Sequence, residues 1–316
     1  MRKKHAILLM SWLALICCTP RRHSQGTLTV VSCSKEAGVG YGVSVDKDYA
    51  YVTNNNGVVI FDVHQPKHPR KVGMIPTGQT FGICIENDLA YILGGRGLVI
   101  ADVRDPANPK KLQEYIIEEY KQRLHVDDSY VYIASDAGLE ILDISDSGKI
   151  SPVAQFGDSR ARGVDVHDGI AYLAGPENGV EVIDVTNPAS PQKITTVAGT
   201  EGACDLHIHN EYLYVARHVA GIEILDISDK KSPKLIGSFC YDDSGEAKGV
   251  WGDGKYLFIA GNRIKMLDVS DPTSPNEIGE YSRRGGHDLC VAGKYVYVAS
   301  GRKGLLILQF NENQEQ

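Results

Sequence analysis

The chain has 316 residues, 42% hydrophobic and 23% charged, with a formal net charge of −7. That balance is globular rather than fibrous or disordered, and its acidic sign counts against nucleic acid as the main partner. Length alone suggests two domains of about 150 residues each, an expectation that an internal repeat overrides.

In chain order the first feature is a targeting segment. Arg2, Lys3 and Lys4 precede an apolar run from Ala6 to Cys17, too short to cross a bilayer comfortably and flanked like a secretory signal. The run ends in Leu15-Ile16-Cys17-Cys18, which resembles a bacterial lipobox, whose cysteine is lipidated and becomes the first mature residue. Cys17 and Cys18 are the candidates, although Ile16 and Cys17 stand where the pattern has a small residue. Residues 1–17 are therefore expected to be a signal peptide and 18–26 a polar tether. A lipid-anchored form at the cell envelope (outer membrane, cell surface or periplasm) is expected, ahead of a cleaved secreted form or an uncleaved anchor. Loss of the leader removes three positive charges and leaves the mature chain near −10.

From residue 27 to 310 the chain repeats itself. Asp62, Asp102, Asp143, Asp184, Asp226 and Asp268 each end an apolar run, with Gln309 in the seventh position, at steps of 40 to 42 residues. Tyr51, Tyr91, Tyr132, Tyr172, Tyr214, Phe258 and Tyr297 keep the same period. A repeat of about 40–50 residues built from short strands predicts a β-propeller with one four-stranded blade per repeat. In the first unit Gly42–Val45 is the inner strand, Tyr49–Thr53 the second, Val58–Val63 the third and Arg70–Ile75 the outer. Third strands such as Val58-Val59-Ile60-Phe61 are apolar on both faces, as expected where neighbouring blades cover each other. The aspartate at each third-strand end is expected to accept N–H groups of the proline-rich turn that follows. Between the second and third units, Glu118-Glu119-Tyr120-Lys121 reads as a helical turn.

The seventh unit supplies three strands before a polar tail, residues 311–316. Its missing outer strand matches Thr27–Cys33, which aligns with Lys234–Cys240. The fold class is thus an all-β, seven-bladed β-propeller whose last blade is closed by the N-terminal strand, removing two sheet edges that invite aggregation. Cys33, Cys84, Cys204, Cys240 and Cys290 all fall in strand-like runs and are expected to be buried thiols, although export would permit a bridge.

Runs such as Leu98-Val99-Ile100-Ala101-Asp102-Val103 resemble the LVIVD repeat of bacterial and archaeal surface proteins, in phase across residues 39–310. Tyr51-Val52-Thr53-Asn54 is similar to the related YVTN repeat. The resemblance implies a propeller displayed outside the cytoplasm. It implies no reaction, because the motif is one of packing.

Residues just before each inner strand should ring the axial mouth: Tyr41, Phe81, Gln122, Arg162, Cys204, Lys248 and His287. Nearby loops add Arg96, Arg123, Arg217, His218, Arg263, Arg283, Arg284, Arg302 and Lys303, against few acids (Glu177, Asp136, Glu246). The opposite face carries acidic turns, so the mouth is expected to be basic and partly aromatic and to attract an acidic partner, an envelope protein or glycan, or a small anion.

Deeper, the inner strands align Ser44, Cys84, His125, Asp165, His207, Trp251 and Cys290. His125, Asp165 and His207 fall on consecutive blades and are the one candidate for a catalytic or zinc-like site, set against histidines merely satisfied within the channel. No glycine-rich phosphate loop, nucleophile elbow or HExxH occurs. The expected function is a non-enzymatic binding scaffold without cofactor or metal. A hydrolase or lactonase-like enzyme and a purely structural envelope component are the alternatives.

Overall fold

Valine-, isoleucine- and tyrosine-rich runs form strands because branched and aromatic side chains fit a pleated surface that is covered on both faces. The computed structural model describes residues 28–146, 149–241, 245–283 and 285–310. The leader, the tether with Cys18, the lipobox Cys17 and the tail lie outside the described residues. Seven four-stranded antiparallel sheets result, one per repeat. In the first blade they are Val43–Asp46, Tyr49–Asn54, Gly57–Asp62 and Arg70–Pro76, from the axis outward.

The ring closes as the sequence implies. Leu28–Ser34 pairs antiparallel with Leu305–Phe310, with Leu28 opposite Phe310 and Ser34 opposite Leu305. The seventh blade therefore takes three strands from the C-terminal end and one from the N-terminal end.

The core is a set of layers between blades. Each of seven buried clusters draws its residues from two neighbouring blades, including the pair formed by the seventh and the first. The tyrosine ladder sits in these layers, and Tyr51, Tyr172 and Tyr214 are at most 1% exposed. Every outer strand also carries a bulge at the same register, for example between Ile60 and Phe61 and between Met266 and Leu267. Such bulges raise the local twist and bend the blade edge. Gly57, which opens a third strand at φ 136°, shows why glycine stands there: a Cβ would lie 2.0 Å from the Ile75 carbonyl oxygen.

The aspartate ladder caps turns. Asp62, Asp102, Asp143, Asp184, Asp226 and Asp268 each accept the backbone N–H two residues on, at 2.7–3.0 Å. Two sequence expectations need correction. Residues 118–120 form no helical turn; Lys121 instead begins an inner strand, 2% exposed, with its ammonium held by the Ile117 carbonyl oxygen. Of the five thiols, Cys33 and Cys240 are exposed rather than buried, because each stands on or next to an outer strand.

Candidate functional site

All inner strands run from one face of the disc to the other, so residues at equivalent positions stack as rings down the axis. The seven mouth residues named from the sequence do converge. Tyr41, Phe81, Gln122, Arg162, Cys204, Lys248 and His287 line one cup of about 400 Å³, joined by Tyr120, Arg123, His218 and Glu246.

Blade order divides the cup into two unlike halves. On the side of the seventh, first, second and third blades, rings form a continuous arc. His287 meets Tyr41 at 5.8 Å, Tyr41 meets Phe81 at 5.8 Å, and Phe81 meets Tyr120 edge-on at 5.4 Å between centroids. On the fourth, fifth and sixth blades the wall is polar. Arg162 Nη1 lies 3.1 Å from His218 Nε2, and Glu246 lies 3.0 Å from Lys248 and 3.2 Å from His218. Burial lowers the His218 pKa, outweighing the pull of Glu246, so its ring is held neutral near pH 7. Burial likewise lowers His287, with the Lys248 charge in support.

His218 is held in an unusual conformation. Its φ of 47° is left-handed, rare for a residue with a side chain. Two backbone hydrogen bonds with Ala247 of the next blade, 3.1 and 2.9 Å, fix it there.

The floor is an ion triad. At the ring below the mouth, four blades carry Gly42, Gly82, Gly163 and Gly249, and the other three carry Arg123, Asp205 and Asp288. The glycines let neighbouring inner strands come close; a Cβ on Gly163 would stand 3.0 Å from the Asp205 Cα. Arg123 crosses the axis to Asp288 at 2.8 Å and to Asp205 at 3.2 Å. Each aspartate also accepts a backbone N–H from the next blade, Val43 for Asp288 and Val250 for Asp205. Burial pushes the Asp205 carboxyl up to about 6, with Arg123 pulling it down and Asp288 adding to the rise. Burial works against the Arg123 charge, but the two carboxylates outweigh it and raise its pKa.

Beneath this floor the structure brings together only part of the sequence-derived triad. His125 Nδ1 lies 2.7 Å from Asp165 Oδ1. Burial disfavours the imidazolium, yet the Asp165 carboxylate more than offsets it and raises the His125 pKa. Asp165 also accepts the Ile208 N–H at 2.9 Å. His207 turns away, with Nε2 3.0 Å from the Gly252 carbonyl oxygen and its ring stacked on Trp251. Among the described residues no group of three or more His, Cys, Asp or Glu is placed to hold a metal ion. The structure thus shows a His125–Asp165 pair beside a histidine committed to backbone.

The expectation of a basic mouth also changes. Arg123 is the floor, matched by two acids, rather than a loop cation. Arg217 pairs with Glu223 at 2.6 Å, Arg263 with Glu280 at 3.2 Å and Lys248 with Glu246. Glu223 and Glu280 come from third and outer strands, where nothing in a linear reading marks them as partners of loop arginines. Arg284 lies outside the described residues. Sequence reasoning also missed Tyr120 as a wall residue. Its signal was available, since it stands just before an inner strand like the other mouth residues.

The model of the LVIVD repeat matches seven times, over residues 37–77, 77–116, 120–154, 158–198, 202–240, 244–283 and 284–309. No curated protein matches the chain. Solved structures share its shape. The β-propeller domain of Cps50 (Swd1) from Myceliophteria thermophila superposes with a TM-score of 0.72 at 11% identity, covering 89% of this chain and 99% of that one. Virginiamycin B lyase from Staphylococcus aureus superposes with a TM-score of 0.70 at 14% identity, covering 91% of this chain and 100% of the lyase. A functionally unknown protein from Desulfotomaculum acetoxidans gives 0.66 at 14% identity, with 86% and 88% of the two chains covered. At such identities these likenesses establish the fold alone.

Proposed function

The chain belongs to the LVIVD repeat family, and from that premise we propose that it is a non-enzymatic binding scaffold at the bacterial cell envelope. In this reading a lipid on Cys17 or Cys18 holds the chain at the membrane, and the cup face is presented to a partner. One observation carries the reading: seven structurally equivalent positions, free of the uniformity that packing imposes elsewhere, converge on one cup of about 400 Å³. That volume falls in the range of about 300–1,000 Å³ typical of ligand pockets. Among the described residues the two most exposed large hydrophobics, Ile116 at 72% and Val219 at 76%, lie on the same face. Ile116 ends the second blade's outer strand, and Val219 lies in the loop between the second and third strands of the fifth blade.

The enzymatic alternative draws less support. His125 and Asp165 lie below the Arg123 floor, and His207 is engaged with Gly252 rather than with them. A purely structural disc gives no reason for a cup divided into aromatic and charged halves.

The test is face-specific photo-crosslinking in cells. A photoreactive residue at Val219 on the cup face is compared with one at Asn87 in a turn on the opposite face. Adducts confined to Val219 are expected. Equal adducts at both positions, or none at Val219, would overturn the reading.

A further inference from the structure

We propose that the cup is the anchor pocket for a protein partner that inserts a single carboxylate beside a bulky apolar group. The inference rests on the cup-face reading above and specifies its occupant.

Among the described residues the charges inside the cup leave one cation without a carboxylate partner. Arg123 is met by Asp205 and Asp288, and Lys248 by Glu246. The Arg162 side chain lines the cup, its Nη1 meets the His218 ring, and no carboxylate pairs with it among the described residues. A guanidinium facing the cup without a counter-charge calls for one from a ligand. A carboxylate supplies it with two parallel, charge-assisted bonds, the geometry to which the planar guanidinium is matched. A phosphate dianion fits less well, because Glu246 stands beside Arg162's partner His218 and would repel the second charge.

The facing wall fixes the neighbour of that carboxylate. Tyr41, Phe81 and Tyr120 present an unbroken aromatic arc, which an aliphatic or aromatic side chain covers well. The surrounding face favours a protein over a glycan. Ile116 and Val219 are exposed aliphatics of the second and fifth blades on that face, and they gain from burial under an apolar protein surface. Tyr and Arg are residue types enriched at interface hot spots. The pinned backbone of His218 keeps the Arg162 side of the cup set before binding, which reduces the ordering cost.

The experiment selects phage-displayed random peptides on the full-length protein in detergent, then measures the winners by fluorescence anisotropy. Enriched peptides are expected to carry an Asp, a Glu or a free C-terminus next to a bulky apolar residue. Amidating that carboxylate, or making Arg162→Gln, should weaken binding by at least about ten-fold, as for a lost charge-assisted hydrogen bond. Arg162→Lys should retain part of it, which a merely unfolded variant would not. Winners without an acidic group, or affinity unchanged by amidation or by R162Q, would overturn the proposal. So would competition by glucuronate oligosaccharides at lower concentration than the peptides. If the Val219 crosslinks form while the peptides fail, the occupant is wrong and the cup-face reading stands. If the crosslinks fail as well, both fall.

Discussion

The guanidinium of Arg123, in the third blade, lies 2.8 Å from the carboxylate of Asp288, in the seventh. One side chain thus ties opposite sides of the ring across the axis, with Asp205 of the fifth blade as its second partner. The contact makes the channel a cup with a floor, and it joins the stability of the ring to the shape of the site.

Arg123→Met should therefore destabilise the protein by about 3–5 kcal/mol, the usual loss when one member of a buried ion pair is removed. Adding Asp205→Asn and Asp288→Asn to that variant should recover part of the loss. Denaturant melts of the three proteins check this. A single variant as stable as the wild type would show that the triad is not coupled to folding.

Asp205 sets a pH dependence. Its folded pKa, about 6, lies above the ordinary carboxylate value of 3.8, so the folded state binds the proton more tightly. The resulting stabilisation is full below about pH 4 and is lost as pH rises through 6. The stability of the wild type relative to Asp205→Asn should fall between pH 4 and 7. A relative stability that grows with pH would reverse the sign and the assignment.

How the sequence reads depends on symmetry. The blades, the aspartate caps and the closure by Leu28–Ser34 were legible because packing repeats a requirement seven times, and a repeated requirement leaves a period. The mouth residues were legible as places where that period breaks. The floor was not, although its sign was present: Arg123, Asp205 and Asp288 are the three exceptions to a glycine ladder. Which exceptions touch depends on reach across the axis, and linear order does not encode it. The same is true of His207, whose place in the ring is as expected but whose ring nitrogen faces Gly252.

The closure makes a graded prediction. Removal of residues through Ser34 should abolish cooperative unfolding, because it strips the last blade of its outer strand and exposes the Leu305–Phe310 edge. Leu28→Ala, in the layer with Phe310, should cost about 2–3 kcal/mol. Val30→Thr, at a position 53% exposed, should stay within about 0.5 kcal/mol of wild type. Thermal and denaturant melts distinguish the three, and a truncated chain that melts like the wild type would refute the closure.

Zinc should have no effect on melting. A metal bound by the native state raises the melting temperature with concentration, but His207 is turned to Gly252 and away from the His125–Asp165 pair. A rise on adding zinc chloride, lost in His125→Ala, would restore the metal reading.

Charge reversal on each face tests the central claim most directly. Arg162→Glu in the cup and Lys47→Glu in a turn of the opposite face change the net charge equally, so a general electrostatic effect moves both alike. With melting confirmed as native for each, recovery of the Val219-crosslinked partner should collapse for Arg162→Glu and persist for Lys47→Glu. Equal recovery from both variants would contradict the account.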